Sequence, residues 1–514
     1  IACALGRHGE TVHVLVNESL LGHGDPREAL LRDALNVSLH PIRMPSSRLS
    51  QLAWSARRVK RLLRRLDAGL VGVEWGNGIA GREANRGLLL RLKDRFATTA
   101  DFLKRNQYGA YAGGPVYIPK LYNGKDKTFF FFGWQATNIR NVNVAKNALG
   151  PTIDEINGNF ATCGTPCNAV IRDASGVPYP NKQVPVAQLD PVALAFTRQM
   201  MPAGLTGTGF YTYQTPITQN LRQGVIRVDH QLGQNDRLTG RYFVDDFDNA
   251  ATYDPKNYVS YSNGSGTLVN NLNLGEIHTF SPTLLNDFHI GYVRQFSRRG
   301  PPAGVPSFQS LGMTINQGIP EAPFVQRVNV NNFFTAGDNT LATFVRNGYE
   351  LADHINWVKG RHNMAIGGSI DHQRVDIRNL FLRPGTAEFT GNVSGMSMAD
   401  FLLGNLGIWI QGSGEYKYYR ASYPSIFFQD DVKVSRRLTI NAGVRWEPTG
   451  PWIDVRDRYE KFRPADFYAG VRSQRFPLAP PGTTFYGDPG VPRGGVNGTK
   501  GNFAPRLGFA WDVF

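Results

Sequence analysis

The chain is poor in several things at once. It has three cysteines in 514 residues, too few for a disulfide scaffold. It has no apolar run near the 18 residues that a membrane-crossing helix needs. Charged residues make up only 19%, yet the mean hydropathy is −0.31. It carries no H-E-x-x-H, no phosphate-binding loop, no G-x-S-x-G and no pair of C-x-x-C motifs. These gaps remove the common metalloprotease, nucleotide-hydrolase and serine-hydrolase readings. No enzyme constellation remains, and the residues call for no cofactor.

What the chain does have is 56 Gly, 31 Phe and 20 Tyr. It also has a recurring alternation. From Leu438, the residues Leu438, Ile440, Ala442, Val444 and Trp446 fall on one side, and Thr439, Asn441, Gly443, Arg445 and Glu447 on the other. Strand side chains point alternately to opposite faces, so one face is oily and the other wet. The same pattern marks strand–turn–strand units at 224–246, 273–296, 347–371 and 423–446. In the first, Ile226, Val228 and Leu232 oppose Arg227, Asp229 and Gln231. Short turns at Gly233–Asp236, Ser281–Thr283, Lys359–Arg361 and Ser435–Arg437 join strands within each unit. Long Gly/Pro/Asn-rich stretches at about 140–218, 297–342, 378–415 and 448–501 separate the units. Stretches of that length are uncommon inside a compact domain and are usually functional or disordered. Within 378–415, Met398–Leu403 reads as a short helical turn or an apolar patch. Four consecutive phenylalanines, Phe129–Phe132, fit a buried core strand or an interfacial girdle; taken alone they favour the core.

Short turns on one side and long loops on the other are the asymmetry of an outer-membrane β-barrel, with lipid on the oily face and a watery lumen on the wet one. We therefore expect an all-β, transmembrane antiparallel β-barrel. Arg227, Arg241, Arg445 and Glu447 are the candidate lumen-lining residues. The rival is a soluble all-β sandwich, such as a carbohydrate-binding protein, with its oily face sealed against a second sheet.

The first 98 residues differ. They hold 16 Lys+Arg against 9 Asp+Glu, and only two aromatics before Phe96, Trp54 and Trp75. Ser55–Leu70 reads as a short basic amphipathic helix: a surface for nucleic acid or anionic lipid, a solvated helix, or the product of an out-of-frame stretch. The formal net charge of +15 is not gathered into a stripe, so nucleic acid is not expected as a partner. Gly76–Gly81 forms a G-x-G-x-x-G, but no βαβ pattern continues after Leu92, so a dinucleotide site is disfavoured. Cys163 and Cys167 sit in a loop, where a disulfide or two free thiols fit better than zinc, which lacks further ligands nearby. Cys3 stands alone. His354, His362 and His372 share one hairpin, but strand spacing does not bring them together, and no metal site is expected. Asp430 and Asp431 should face opposite sides. An Ile at position 1 and a strand-like run still open at Phe514 lead us to expect a fragment.

Several segments carry a family resemblance. Lys104–Gly109, Gly113-Gly114-Pro115, Ile118–Phe132, Tyr179–Pro185, Phe280–Asp287, Trp357–His362, Gln429–Lys433, Arg437–Trp446 and Asn502–Trp511 resemble, in order, the Oar-like TonB-dependent transporters of bacterial outer membranes. The resemblance covers about residues 100–514. It implies a carboxypeptidase-regulatory-like domain, a plug and a barrel of 22 strands, of which this chain shows about ten. Residues 99–514 are then a partial barrel. Val73–Gly81 resembles the end of a plug, and the rest of 1–98 is unassigned. The expected partners are outer-membrane lipid, a TonB-type energy-coupling protein and a transported substrate that the sequence does not specify. A passive, plugless porin-like barrel is the alternative.

Overall fold

The computed structural model describes residues 103–513 except 144, 163–168, 317 and 321, together with the backbone of Ala2–Cys3, Val14–Leu15 and Leu70–Gly76. The expected Ser55–Leu70 helix, most of the glycine motif after Gly76, and the Cys163/Cys167 pair lie largely or wholly outside the described residues.

One large antiparallel sheet dominates. Its strands are β1 (Leu70–Gly76), β2 (Lys104–Pro115), β3 (Thr128–Val142), β4 (Pro216–Gln231), β5 (Asp236–Asn249) and β6 (Gly264–Ser281). They continue as β7 (Leu284–Gly300), β8 (Ala342–Lys359), β9 (His362–Asn379), β10 (Glu415–Lys433), β11 (Leu438–Trp446) and β12 (Phe503–Trp511). Among the described residues these twelve strands pair in sequence order, so the sheet is an up-and-down meander from β1 to β12, and one short strand, Ile453–Asp454, adds to the loop end of β10 off that path. That is two strands more than the roughly ten expected. The difference includes β1, which lies in the N-terminal ~95 residues, for which the sequence leads us to expect irregular or helical structure and not a ladder strand; its backbone supplies ladder partners to β2.

The register turns local alternation into two continuous surfaces. Phe132, Ile226, Tyr242, Leu272, Tyr292, Tyr349 and His372 are directly opposed, one strand to the next, in a single row. The adjacent row on the other face runs Phe131, Arg227, Arg241, Asn273, Gly291, Glu350, Asp371 and Tyr423. The first surface is largely apolar through its middle: Ile226, Leu272, Ile290, Leu351, Ile366 and Ile370 stay 37–48% exposed, with no second layer over them among the described residues. Aromatics rim this belt on its loop side, with Tyr108 near Trp134 at 5.7 Å and Tyr292 near Tyr349 at 5.1 Å. Most of its polar residues gather toward the ends: His362 with Asp430 at 2.6 Å on the turn side, and Tyr242 donating to Asn270 at 2.5 Å on the loop side; Asp353, between Leu351 and Ile355, is an acid within the belt and accepts from Asn286 at 2.5 Å. The four phenylalanines do not form a buried strand. Phe130 and Phe132 join the belt while Phe129 and Phe131 take the polar face, because strand alternation allows nothing else.

Turns at 232–235, 282–283, 360–361 and 434–437 lie at one end. Gly360, at φ +62, takes the left-handed conformation that its two-residue turn requires. Connections 143–215, 250–263, 301–341, 380–414 and 447–502 lie at the other end. Strands of 18 and 19 residues, such as β8 and β10, exceed the roughly 10 that a tilted strand needs to cross a bilayer. They therefore carry the loop end well past the belt.

The long connections pack into a cap with its own core. Phe160, Ile171, Met200, Tyr258, Val325, Val330, Leu380, Met398 and Leu402 are essentially inaccessible. Phe401 packs edge-on against Phe196, Phe334 and Phe389 at 5.8, 5.6 and 5.2 Å. Three helices help to build the cap: α1 (Ile153–Ile156), α2 (Pro191–Met200) and α3 (Ser397–Leu402). The Met398–Leu403 segment is thus a helical turn, with every residue of α3 buried. A small sheet of Arg327–Val330, Phe334–Gly337, Thr386–Phe389 and Ile408–Ile410 joins two connections that are distant in sequence.

Candidate functional site

The polar face of the sheet carries the charged chemistry, and alternation places its side chains. In the row Phe131–Tyr423, like charges oppose each other twice. Arg227 faces Arg241 across β4/β5, and Glu350 faces Asp371 across β8/β9. Like charges directly opposite destabilise a ladder, so each pair needs relief. Asp229 accepts from Arg227 Nε at 2.7 Å and Nη2 at 2.8 Å, from Arg237 Nη2 at 3.1 Å and from Thr239 Oγ1 at 2.9 Å. Arg241 reaches Asn271, at 3.5 Å. On the acidic side, Gln373 Nε2 donates to Asp371 at 2.6 Å. Both parts of the wall carry both signs: Arg227, Arg237 and Arg241 stand with Asp229 and Asp245 over β4 and β5, and Glu350 and Asp371 with Arg346 over β8 and β9.

Between them sits a mixed cluster. Asp287 lies 3.0 Å from His289 Nδ1 and 3.3 Å from His354 Nε2, with the two imidazoles stacked at 6.4 Å and 11°. Farther along, Arg445 Nε donates to Glu447 at 2.6 Å and Nη2 to Ser425 at 3.0 Å, its guanidinium 5.9 Å from the centre of the Phe427 ring. Gly367 keeps this stretch tight: a Cβ there would come within 2.5 Å of His354 Cβ.

The four residues expected to share the polar face fall into two groups. Arg227 and Arg241 are cross-strand partners; Arg445 and Glu447 form a second site several strands away. Arg227 and Arg445 have acidic partners, whereas Arg241 has none among the described residues. The three histidines separate: His354 lies on the polar face with Asp287, and His362 and His372 lie on the apolar one. Among the described residues no cluster of His, Cys, Asp and Glu could hold a metal ion. Asp430 and Asp431 do face opposite sides, toward His362 and Asn441 respectively. Sequence reading passed over the Glu350/Asp371 opposition and the Asp287 cluster. Alternation assigns a face, but which residues stand opposite depends on register: within a hairpin it is set by the exact turn residues, and between hairpins, as for Asp287 and His354, no turn fixes it.

In the cap, a few titratable groups are buried. Burial pushes the Glu155 carboxyl up against the opposing pull of Thr152, whose backbone N–H and hydroxyl both donate to it, at 2.8 and 3.0 Å. Burial likewise raises the Tyr261 phenol to about 12. Tyr258, fully buried, donates to Val325 O at 2.7 Å and accepts from Asn339 at 2.6 Å. Beside Phe401 is an apolar cavity of about 110 Å³ lined also by Phe196, Phe308, Leu311, Met313 and Phe389.

Residues 88–514 match the outer membrane beta barrel domain, and the chain belongs to that family. Among solved structures it is similar to the outer membrane transporter YddB from Escherichia coli, at 8% identity and TM-score 0.38, covering 67% of this chain and 34% of that one. It is also similar to the ferric-catecholate import receptor Fiu from Escherichia coli. The open form gives 8% identity and TM-score 0.31, covering 68% of this chain and 47% of that one. The closed form gives 10% identity and TM-score 0.26, covering 71% and 53%. The chain thus spans about a third to a half of the length of these proteins. No curated protein matches it. The molecule is a mostly antiparallel outer-membrane β-barrel domain, and its place is the bacterial outer membrane.

Proposed function

We propose that the chain is the barrel part of a TonB-dependent receptor that passes a substrate through a plugged lumen. The observation that carries this reading is the pairing of an uncovered apolar belt with a charge-bearing opposite face, under a cap that has its own core. In a barrel of this kind the apolar face meets lipid and the other lines the interior. Arg227, Arg241, Arg445 and Glu447 then line the lumen. A wall that carries both signs of charge favours a cargo, or an internal segment, that does the same. The cap sits where incoming substrate is first met. The substrate is a siderophore, glycan, peptide or secreted protein, and the protein does no covalent chemistry on it. Energy would come from a TonB-type partner.

The test is uptake by cells expressing the whole protein. A protonophore, or loss of the coupling protein, should abolish uptake of its substrate. Uptake that persists would favour a passive porin-like channel. In planar bilayers the purified 514-residue chain should give no steady conductance, because β1 and β12 each leave a ladder edge without a partner among the described residues, and lipid does not tolerate such edges.

A further inference from the structure

The apolar face changes character one step above its aromatic rim. The row Tyr292–Tyr349–His372–Ser422 is followed, two residues along each strand and on the same face, by Arg294–Asn347–Arg374–Arg420. Three guanidiniums stand in one row across four adjacent strands, and that row holds no acid. Arg374 and Arg420 are direct cross-strand partners, a destabilising opposition. Two more arginines lean in from the β11–β12 connection: Arg456 and Arg458 lie over the Tyr418 ring at 4.3 and 5.2 Å. Tyr418 sits two residues beyond Arg420, on the same face.

Against these five arginines stand two carboxylates. Asp376 accepts from Arg420 at 2.7 Å and Asp454 pairs with Arg458 at 2.8 Å. Arg294 donates to Asn347 at 2.9 Å, a neutral partner that also accepts from Tyr292 at 3.1 Å. Arg374 has no ion pair among the described residues. The cluster is left with an excess of about three positive charges on a surface that faces outward, not toward the cap or the polar wall.

We propose that this rim binds the phosphate of an anionic lipid headgroup in the leaflet on the loop side. The proposal rests on the membrane-embedded reading of the belt. Interfacial tyrosines mark the headgroup level, and the arginine row lies just beyond them. Guanidinium forks match phosphate oxygens bidentately. A bound phosphate would bridge Arg374 and Arg420 and remove their repulsion.

The test is a lipid titration of the 514-residue chain in neutral detergent micelles, doped with phosphatidic acid or with phosphatidylcholine. Phosphatidic acid should bind more tightly, and more weakly as salt rises. At about 1 kcal/mol per interfacial arginine, each substitution costs roughly fivefold, so Arg294→Gln/Arg374→Gln/Arg420→Gln should lose about a hundredfold. Arg472→Gln, in the β11–β12 connection, should lose nothing. Equal affinity for the two lipids, an unchanged triple variant, or inorganic phosphate binding as tightly as the lipid would each overturn the proposal. If the triple variant does not fold, by loss of its strand signal in circular dichroism, Arg374→Gln alone decides: a fivefold loss supports the proposal and no loss sinks it. Failure of the embedded reading would show separately, as a chain that stays in solution without detergent.

Discussion

The meander and the cap use the same residue types for opposite ends. Along the strands, Ile366 and Ile370 lie about half exposed, on a face with nothing packed over them among the described residues, and the ladder holds them in place. In the cap, Met398 and Leu402 are wholly enclosed, and the surrounding backbone is irregular. The strands are specified by hydrogen bonds and tolerate exposed apolar side chains because lipid is their solvent. The cap is specified by packing, as any water-facing domain must be. One chain therefore contains two environments whose rules for substitution are inverted.

The largest test of that contrast is Phe401→Ala. It removes a ring in contact with three other aromatics and should cost the cap about 3–5 kcal/mol. Hydrogen exchange should rise across α2, α3 and the small sheet while β8–β10 stay protected; equal loss in both would merge the two regions. Next is Ile366→Lys on the belt. A cation at mid-bilayer costs about 2–4 kcal/mol, so membrane-inserted yield should fall while cap protection is unchanged. Ser369→Lys, three residues away on the polar face, should insert normally.

A third test concerns pH. Glu155 is held above the ordinary carboxylate value, so its neutral form is favoured in the folded cap. That contribution is complete below the unfolded value near 4.5 and is lost as pH rises through the folded one. Glu155→Gln should therefore raise cap stability at neutral and alkaline pH and flatten its decline, read as thermal melting of the cap from pH 4 to pH 8. A steeper decline in the variant would refute the assignment. The smallest effect belongs to Arg241→Gln. Relieving its opposition to Arg227 should change stability by about 0.2–1 kcal/mol in the favourable direction, measured by urea-dependent unfolding in detergent.

Much of the wall was legible because alternation is local. Leu438 to Trp446 reveals two faces from nine residues, and β11 spans those same nine. The cap was not legible. Its core brings Phe196, Phe334, Phe389 and Phe401 together from three different connections, each of which reads alone as Gly/Pro-rich coil. No periodicity links them, because the partners of each lie far away in sequence. The site was half visible for the same reason. Parity put Arg227, Asp229 and Arg241 on one face, but only register shows that Asp229 binds Arg227 and Arg237 together, or that Glu350 looks across at Asp371.

The strictly sequential pairing has a consequence for how such a wall can change. Within the long ladder, each hairpin is bonded to the hairpins before and after it. Duplicating or deleting one would alter the girth by two strand spacings, about 9.5 Å, without flipping the facing of any remaining residue. Evolution could therefore resize the conduit in even steps, while each surviving hairpin kept its own greasy and wet sides.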